Sequence, residues 1–180
     1  MTTQAHQQKG AALWFTGLPC SGKSAIADRL AGILKDKGYR VERLDGDIVR
    51  QDLTRDLGFS KEDRDENIRR VTFVTKLLAR NGVFVLTSFI SPYREMRDRA
   101  RAQVENFVEI YIKTSLETCI QRDVKGMYRK AIAGEIKEFT GVSDPYEEPL
   151  KPELVIETDN ETLEQSTERV LRGMERLGLL

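Results

Sequence analysis

An apolar run, Ala11-Ala12-Leu13-Trp14-Phe15, passes through Thr16 straight into Gly17-Leu18-Pro19-Cys20-Ser21-Gly22-Lys23-Ser24, which satisfies the pattern G-x-x-x-x-G-K-[ST] in full. No other stretch constrains the fold as strongly, because it fixes three consecutive pieces of structure. The apolar run predicts a strand over residues 12–16. The glycines predict a tight loop whose backbone N–H groups turn inward. Behind the loop, Ile26, Leu30, Ile33 and Leu34 share one face of a predicted helix from Gly22 to about Lys37, closed by Gly38. Inward N–H groups and the positive end of a helix together form an anion cradle. In such a cradle Lys23 reaches the β- and γ-phosphates of a nucleotide, and the Ser24 hydroxyl ligates Mg²⁺. A chance glycine-rich turn could match the spacing, but a strand before it and a helix after it are not part of that coincidence. The motif calls for a nucleoside triphosphate and leaves hydrolysis, transfer and simple binding open.

The rest of the chain repeats the strand–helix alternation. Strands are expected over residues 40–44, 83–87, 108–112 and 154–157. Between them, Ser60 and Asp63 match a capping box opening a helix with Ile68, Val71, Val74, Leu77 and Leu78 along one stripe, ended by Asn81-Gly82. Ser91-Pro92 reads as an N-cap followed by proline at the first helical position. Further helices are expected from Ser115 to about Asp123 and from Glu161 to about Leu177. Residues 124–152 differ: they are charged, punctuated by Gly and Pro, and without a sustained period. Strands apolar on both faces and alternating with helices predict an α/β fold, a parallel sheet covered by helices on both sides. The 180 residues suit one domain over 1–180, preceded by a polar tail at 1–10 expected to be flexible.

Composition narrows the function. Lys plus Arg is 29 and Asp plus Glu is 29, so the net charge is zero and no global field draws in nucleic acid or anionic lipid. No run approaches the ~18 apolar residues of a membrane span, and the start MTTQAHQQKG does not resemble a signal peptide. Cys20 and Cys119 stand far apart in sequence, outside any metal-ligand spacing. These features read as a reduced, cytoplasmic protein. The one histidine, His6, lies in the polar tail and is not expected to act in catalysis.

Two absences refine the phosphate reading. There is no [NT]-K-x-D element to read guanine, and the third strand, Val-Phe-Val-Leu-Thr-Ser, lacks a terminal acid to help hold the metal. Asp45 and Asp47 are the replacements, just beyond the carboxyl end of the second strand, where open parallel sheets place ligands. Such a carboxylate can hold Mg²⁺ through water or accept the proton of an attacking hydroxyl; as the plainer alternative, Asp-Gly-Asp makes a turn and caps a helix. Arg50 follows Asp47 by three residues, and Arg64 and Asn67 are also three apart. With Phe59 they suit an anionic acceptor that carries a flat ring. Taken singly, Phe59 reads as a core anchor and Arg64 as a solvated charge.

The segments LWFTGL, SGKS, LDGDIVR, DLGFSKEDRDENIRR, SFISPYR and RDVKGMYRKAIAGEIKEFTGVSDPYEEP resemble the adenylylsulfate (APS) kinase family, from Leu13 to about Asn160. The resemblance implies a P-loop, nucleotide-kinase-like fold with a mobile lid at about 124–152. It implies transfer of the ATP γ-phosphoryl group to the 3′-hydroxyl of adenosine 5′-phosphosulfate in sulfate assimilation. In that family's terms Asp47 is the catalytic carboxylate, supported by Asp45 and Lys23, with Ser24 and Asp47 at Mg²⁺. ATP is bound by residues from Gly17 to Ala25 (Gly17, Leu18, Pro19, Cys20, Ser21, Gly22, Lys23, Ser24, Ala25) and by Arg122 and Thr158. APS is bound by Asp47, Arg50, Phe59, Arg64, Asn67, Ile90, Ser91, Lys125, Phe139 and Thr140, the two phenylalanines sandwiching adenine. Ser91 matches a serine phosphorylated in some members, although the N-cap reading is preferred here. A homodimer and a functional link to ATP sulfurylase are also implied. Pro19 and Cys20 depart from the G-L-S-G-S-G-K of many bacterial members, at variable positions. A thiol beside a helix N-terminus could be oxidisable, but Cys20 is expected to be buried and inert. Still open are a related kinase for another small alcohol, such as gluconate, or for a nucleotide, and a non-catalytic ATP-binding regulatory domain.

Overall fold

The computed structural model describes residues 8–180. Its elements in chain order are β1 (Ala11–Thr16), α1 (Lys23–Asp36), β2 (Val41–Asp45), α2 (Gly46–Val49), α3 (Lys61–Arg80), β3 (Phe84–Ser88), α4 (Arg94–Gln103), β4 (Phe107–Lys113), α5 (Leu116–Arg122), α6 (Met127–Ile132), β5 (Leu154–Glu157) and α7 (Leu163–Arg176). The five strands form one sheet in the order β2-β3-β1-β4-β5, and every pair is parallel. The strand alternation explains why β1 is apolar throughout. Ala11, Leu13 and Phe15 point into a core with α1 and α7, while Ala12 and Trp14 point into a second core with α3 and α4. With both faces covered, no polar position is tolerated until Thr16 at the strand's carboxyl end.

The same order sets the site. The chain leaves β1 for β2 on one side and returns to β4 on the other, so β1 lies at the switch point, where a crevice opens beyond the strand ends. The phosphate loop, Asp45 to Asp47 and the turn after β3 all emerge on that rim.

Several expectations need correction. Ser60 does accept from the Asp63 N–H, but the Asp63 carboxylate takes the Gly58 N–H, 3.0 Å, instead of returning to Ser60. On α3 the buried face runs through Ile68, Val71, Thr72, Thr75 and Ala79, with Val74, Leu77 and Leu78 only half-buried. Of the two threonines on that face, Thr72 folds its hydroxyl back onto the Ile68 carbonyl, 2.7 Å, while the Thr75 hydroxyl is buried without a partner among the described residues. Ser91 does not cap α4; the helix begins at Arg94 with Tyr93 as its N-cap residue. The segment 124–152 carries α6, too short at six residues to register as a period. The tail reading falls mostly on residues 1–7, His6 included, outside the described residues. The next residues are fastened: Gln8 exchanges two hydrogen bonds with the Arg40 backbone, 2.9 and 2.8 Å. Asn106 donates to the Gly10 carbonyl, 2.9 Å.

Candidate active site

Gly17 opens the loop with φ +153, and a Cβ there would lie 2.5 Å from the Ile112 carbonyl oxygen, so only glycine fits. Gly22, at φ 102, turns the chain into α1. Lys23, the first residue of α1, lies back along the loop and donates to the carbonyls of Gly17, 3.0 Å, and Leu18, 2.6 Å. It is nearly buried, and burial pushes its ammonium down to about 8. Cys20 is half-exposed and holds φ 60, so the buried reading is corrected; it and Cys119 are free thiols. The loop is braced from outside. Tyr128 on α6 donates to the Pro19 carbonyl, 3.1 Å, and Thr158 donates to the Ser21 carbonyl, 3.0 Å. Arg122 in turn holds Thr158 through its hydroxyl, 3.1 Å, and its carbonyl, 2.7 Å.

Asp45 makes the turn and the helix cap of the plainer reading of Asp-Gly-Asp. Its Oδ1 caps α2 by accepting the Asp47 N–H, 3.0 Å. Its Oδ2 accepts from the Ser24 hydroxyl, 2.6 Å. Asp47 is left out of this bracing. Its side chain is 71% exposed and paired with Lys125, which reaches across from the segment after α5. The cap has fixed one carboxylate and freed the other.

Beyond Asp47, Arg50 donates to the carbonyls of Leu57, 3.2 Å, and Gly58, 3.0 Å. Its guanidinium lies 4.4 Å from the centre of the Phe59 ring. Arg64 donates to the Phe59 carbonyl, 2.8 Å, and to the Glu138 carbonyl. It is only 8% exposed, so it is not a solvated charge. Burial and the neighbouring Arg64 lower the Arg50 pKa from the ordinary arginine value. Phe59 itself is 55% exposed, a ring presented by two arginines and not a core anchor. Asn67 is buried, and its Oδ1 finds no hydrogen-bond partner among the described residues. Phe139 packs edge-on against Tyr128, centroids 5.0 Å apart.

These residues line one cleft of about 750 Å³, together with Pro19, Cys20, Gly22, Ser24, Ala25, Ile90, Ser91, Arg122, Lys125 and Thr158. Gly17, Leu18, Ser21 and Thr140 are not on its lining. Thr140 is a correction: it is buried, and bridges through its backbone to Asp144. Ile90 meets the cleft, but its carbonyl already accepts from Thr16, 2.7 Å. Ser91 is buried at φ 41; its Oγ accepts from Trp14 Nε1, 3.1 Å, and donates to Thr16, 3.2 Å.

Sequence reasoning missed the braces and part of the wall. Tyr128 lay in a segment with no readable period. Ser88, which lines the cleft with a buried Oγ lacking a partner among the described residues, stands where an acid had been sought. Glu161, Leu163 and Ser166 bring the start of α7 to the cleft; only the Thr162–Gln165 capping box, which the structure forms, signalled that turn.

Over residues 9–157 the chain matches the model of a known family, adenylylsulphate kinase. The chain belongs to the adenylylsulphate kinase family. It is 59% identical over 166 residues to a probable adenylyl-sulfate kinase of Pseudomonas aeruginosa, covering 92% of this chain and 78% of that one. It is 57% identical to an adenylyl-sulfate kinase of Halothermothrix orenii, covering 96% of this chain and 94% of the relative. Among solved structures, the Mycobacterium tuberculosis APS kinase CysC in complex with AMPPNP and APS superposes with a TM-score of 0.89 at 41% identity, covering 93% of this chain and 98% of the other. The family is one of ATP-dependent kinases, in keeping with the loop. No helix among the described residues is long and apolar enough to cross a membrane.

Proposed function

We propose that the cleft binds ATP along residues 17–25 and APS between Phe59 and Phe139, and that Asp47 mediates transfer between them. The observation that carries this reading is the exposed Asp47 carboxylate, which lines the same cleft as the phosphate loop and the Arg50–Phe59–Arg64 cluster. In the reaction the 3′-hydroxyl oxygen of APS forms a bond to the γ-phosphorus. The bond from that phosphorus to the bridging oxygen breaks, ADP leaves with the electron pair, and the hydroxyl proton passes to Asp47. Lys23 balances charge on the phosphates. Arg50 and Arg64 hold the phosphosulfate, Asn67 uses its spare Oδ1 on the ribose side, and the two phenylalanines stack on adenine. Lys125, released from Asp47, turns to the phosphates as residues 124–152 close and exclude water. Arg122 and Thr158 hold the edge of the ATP site.

Ser24 and Asp47, with Asp45 behind them, fit Mg²⁺. It takes hard oxygen ligands, keeps several waters and relies on substrate phosphates more than on an all-protein cage. When bound, it would neutralise the charge that develops on the transferred phosphoryl group. Family resemblance further supports a homodimer, a cytoplasmic setting and a functional link to ATP sulfurylase, the enzyme class that supplies APS.

An acceptor panel tests the reading. With Mg-ATP, ADP release should depend on APS and not on gluconate, shikimate or a nucleoside monophosphate. Turnover with one of the others would point to a different alcohol kinase, and none with any acceptor to a regulatory ATP-binding domain.

A further inference from the structure

Arg97, on α4, carries a full charge but is 2% exposed and does not line the cleft. All three of its hydrogen-bonding arms are committed. Nε donates to the Glu109 carboxylate on β4, 2.8 Å; Nη1 to the Ser91 carbonyl, 2.5 Å; Nη2 to the Glu147 carbonyl, 2.6 Å. Its guanidinium also lies 5.7 Å from the centre of the Tyr146 ring. Three of these partners, Ser91, Tyr146 and Glu147, matter to the site. Ser91 belongs to the left-handed turn that forms the acceptor side of the cleft floor, a conformation serine does not prefer. Tyr146 and Glu147 lie in the return limb of the lid.

A hydroxyl network ties the same pieces to the end of β1. Thr16 donates to the Ile90 carbonyl, 2.7 Å, and its oxygen receives the Ser91 hydroxyl, 3.2 Å. The Tyr146 hydroxyl is 2.9 Å away, and with the Thr16 proton already used, tyrosine must be the donor. Every member is satisfied, and Ser91 Oγ is enclosed by Trp14 and Thr16.

We infer that Arg97 is a positioning residue for the acceptor half of the site, clamping the Ile90–Ser91 turn and the lid's return limb to β4 through Ser91 O and Glu147 O. Lysine could keep the charge but not the planar fork that reaches Ser91, Glu109 and Glu147 at once. The inference deepens the proposed APS reading and rests on it for the identity of the acceptor.

The test compares wild type, Arg97→Lys, Arg97→Met, Tyr146→Phe and, as control, Arg101→Met. Arg101 shares the Glu109 carboxylate, 3.3 Å, and otherwise holds Glu153, 2.6 Å. Both KM values and the rate of tryptic cleavage within residues 125–137 are measured. The two Arg97 variants should raise KM for APS at least about tenfold, leave KM for ATP within about twofold, and speed lid cleavage. Tyr146→Phe should do the same more weakly, and Arg101→Met should do neither. Equal shifts in both KM values, unchanged lid cleavage in soluble Arg97 or Tyr146 variants, or the same effects from Arg101→Met would overturn the inference. If wild type fails to turn over APS, the functional reading falls, and lid cleavage still decides the clamp.

Discussion

The two halves of the cleft are built on opposite plans. The half proposed to take ATP is built mainly on one continuous stretch, residues 17–25, with Arg122 and Thr158 at its edge; backbone groups form the cradle, and Lys23 is nearly buried among the loop carbonyls. The half proposed to take APS is gathered from α2, the connector at 57–60, α3 and residues 124–152, and presents exposed side chains: Asp47, Phe59 and Lys125. A cradle made of backbone tolerates side-chain change wherever the backbone conformation survives. A pocket made of side chains does not. Substitutions in the acceptor half should therefore be selective for APS and for chemistry, and those in the loop either fatal to phosphate binding or nearly silent.

The largest expected effect sharpens this contrast at the boundary. Asp47→Asn should lower kcat by about 10²–10⁴-fold, the usual range for a positioned base, while equilibrium ATP binding persists. Unchanged kcat would remove Asp47 from its role. Next comes Phe59→Ala, which deletes a ring that the core does not need. It should weaken APS binding by about 1–3 kcal/mol, as loss of a base–aromatic stack does, with ATP affinity held. Equal weakening of both substrates would break the division between halves.

The third prediction concerns the donor half alone. Burial places the folded-state pKa of Lys23 at about 8, below the ordinary lysine value of 10.5. The folded chain thus binds this proton less tightly than the unfolded chain. Lys23 costs stability below about 8, and the cost disappears as pH rises toward the unfolded value. ATP phosphates favour the ammonium. Binding should therefore take up a proton above about pH 8, and affinity should fall as pH rises further. Calorimetry in buffers of different ionisation enthalpy measures that uptake; none at pH 9 would contradict the buried lysine. The smallest effect is expected at Cys20, whose φ of 60 suits glycine. Cys20→Gly should shift stability by less than about 1 kcal/mol, since relief of left-handed strain and greater freedom of the unfolded chain oppose each other. ATP binding should be retained.

The contrast also explains what could be read from the sequence. The loop, its strand and its helix were legible because one local pattern carries all three. The parallel sheet followed from strands apolar on both faces, such as β1. Asp45 and Asp47 were identifiable by position, but their division of labour was not. Which carboxylate caps α2 and which stays exposed depends on a hydrogen bond to Ser24 from another part of the chain. Phe59 and Arg64 showed bland alternatives taken singly, because exposure and burial are settled by neighbours far along the chain. Tyr128 was invisible for the same reason: its six-residue helix makes sense only once its hydroxyl meets the Pro19 carbonyl. Ser91 misled because Ser-Pro is a good local helix start, and a buried tertiary network claims its hydroxyl instead.

The central claim, that the exposed half of the cleft directs the γ-phosphate to one hydroxyl, is tested most directly by comparing APS with its 3′-deoxy analogue. With Mg-ATP, APS should yield ADP and a 3′-phosphorylated product in equal amounts. The 3′-deoxy analogue should bind and release no ADP above background. ADP release at the same rate with both, or with neither, would contradict the account.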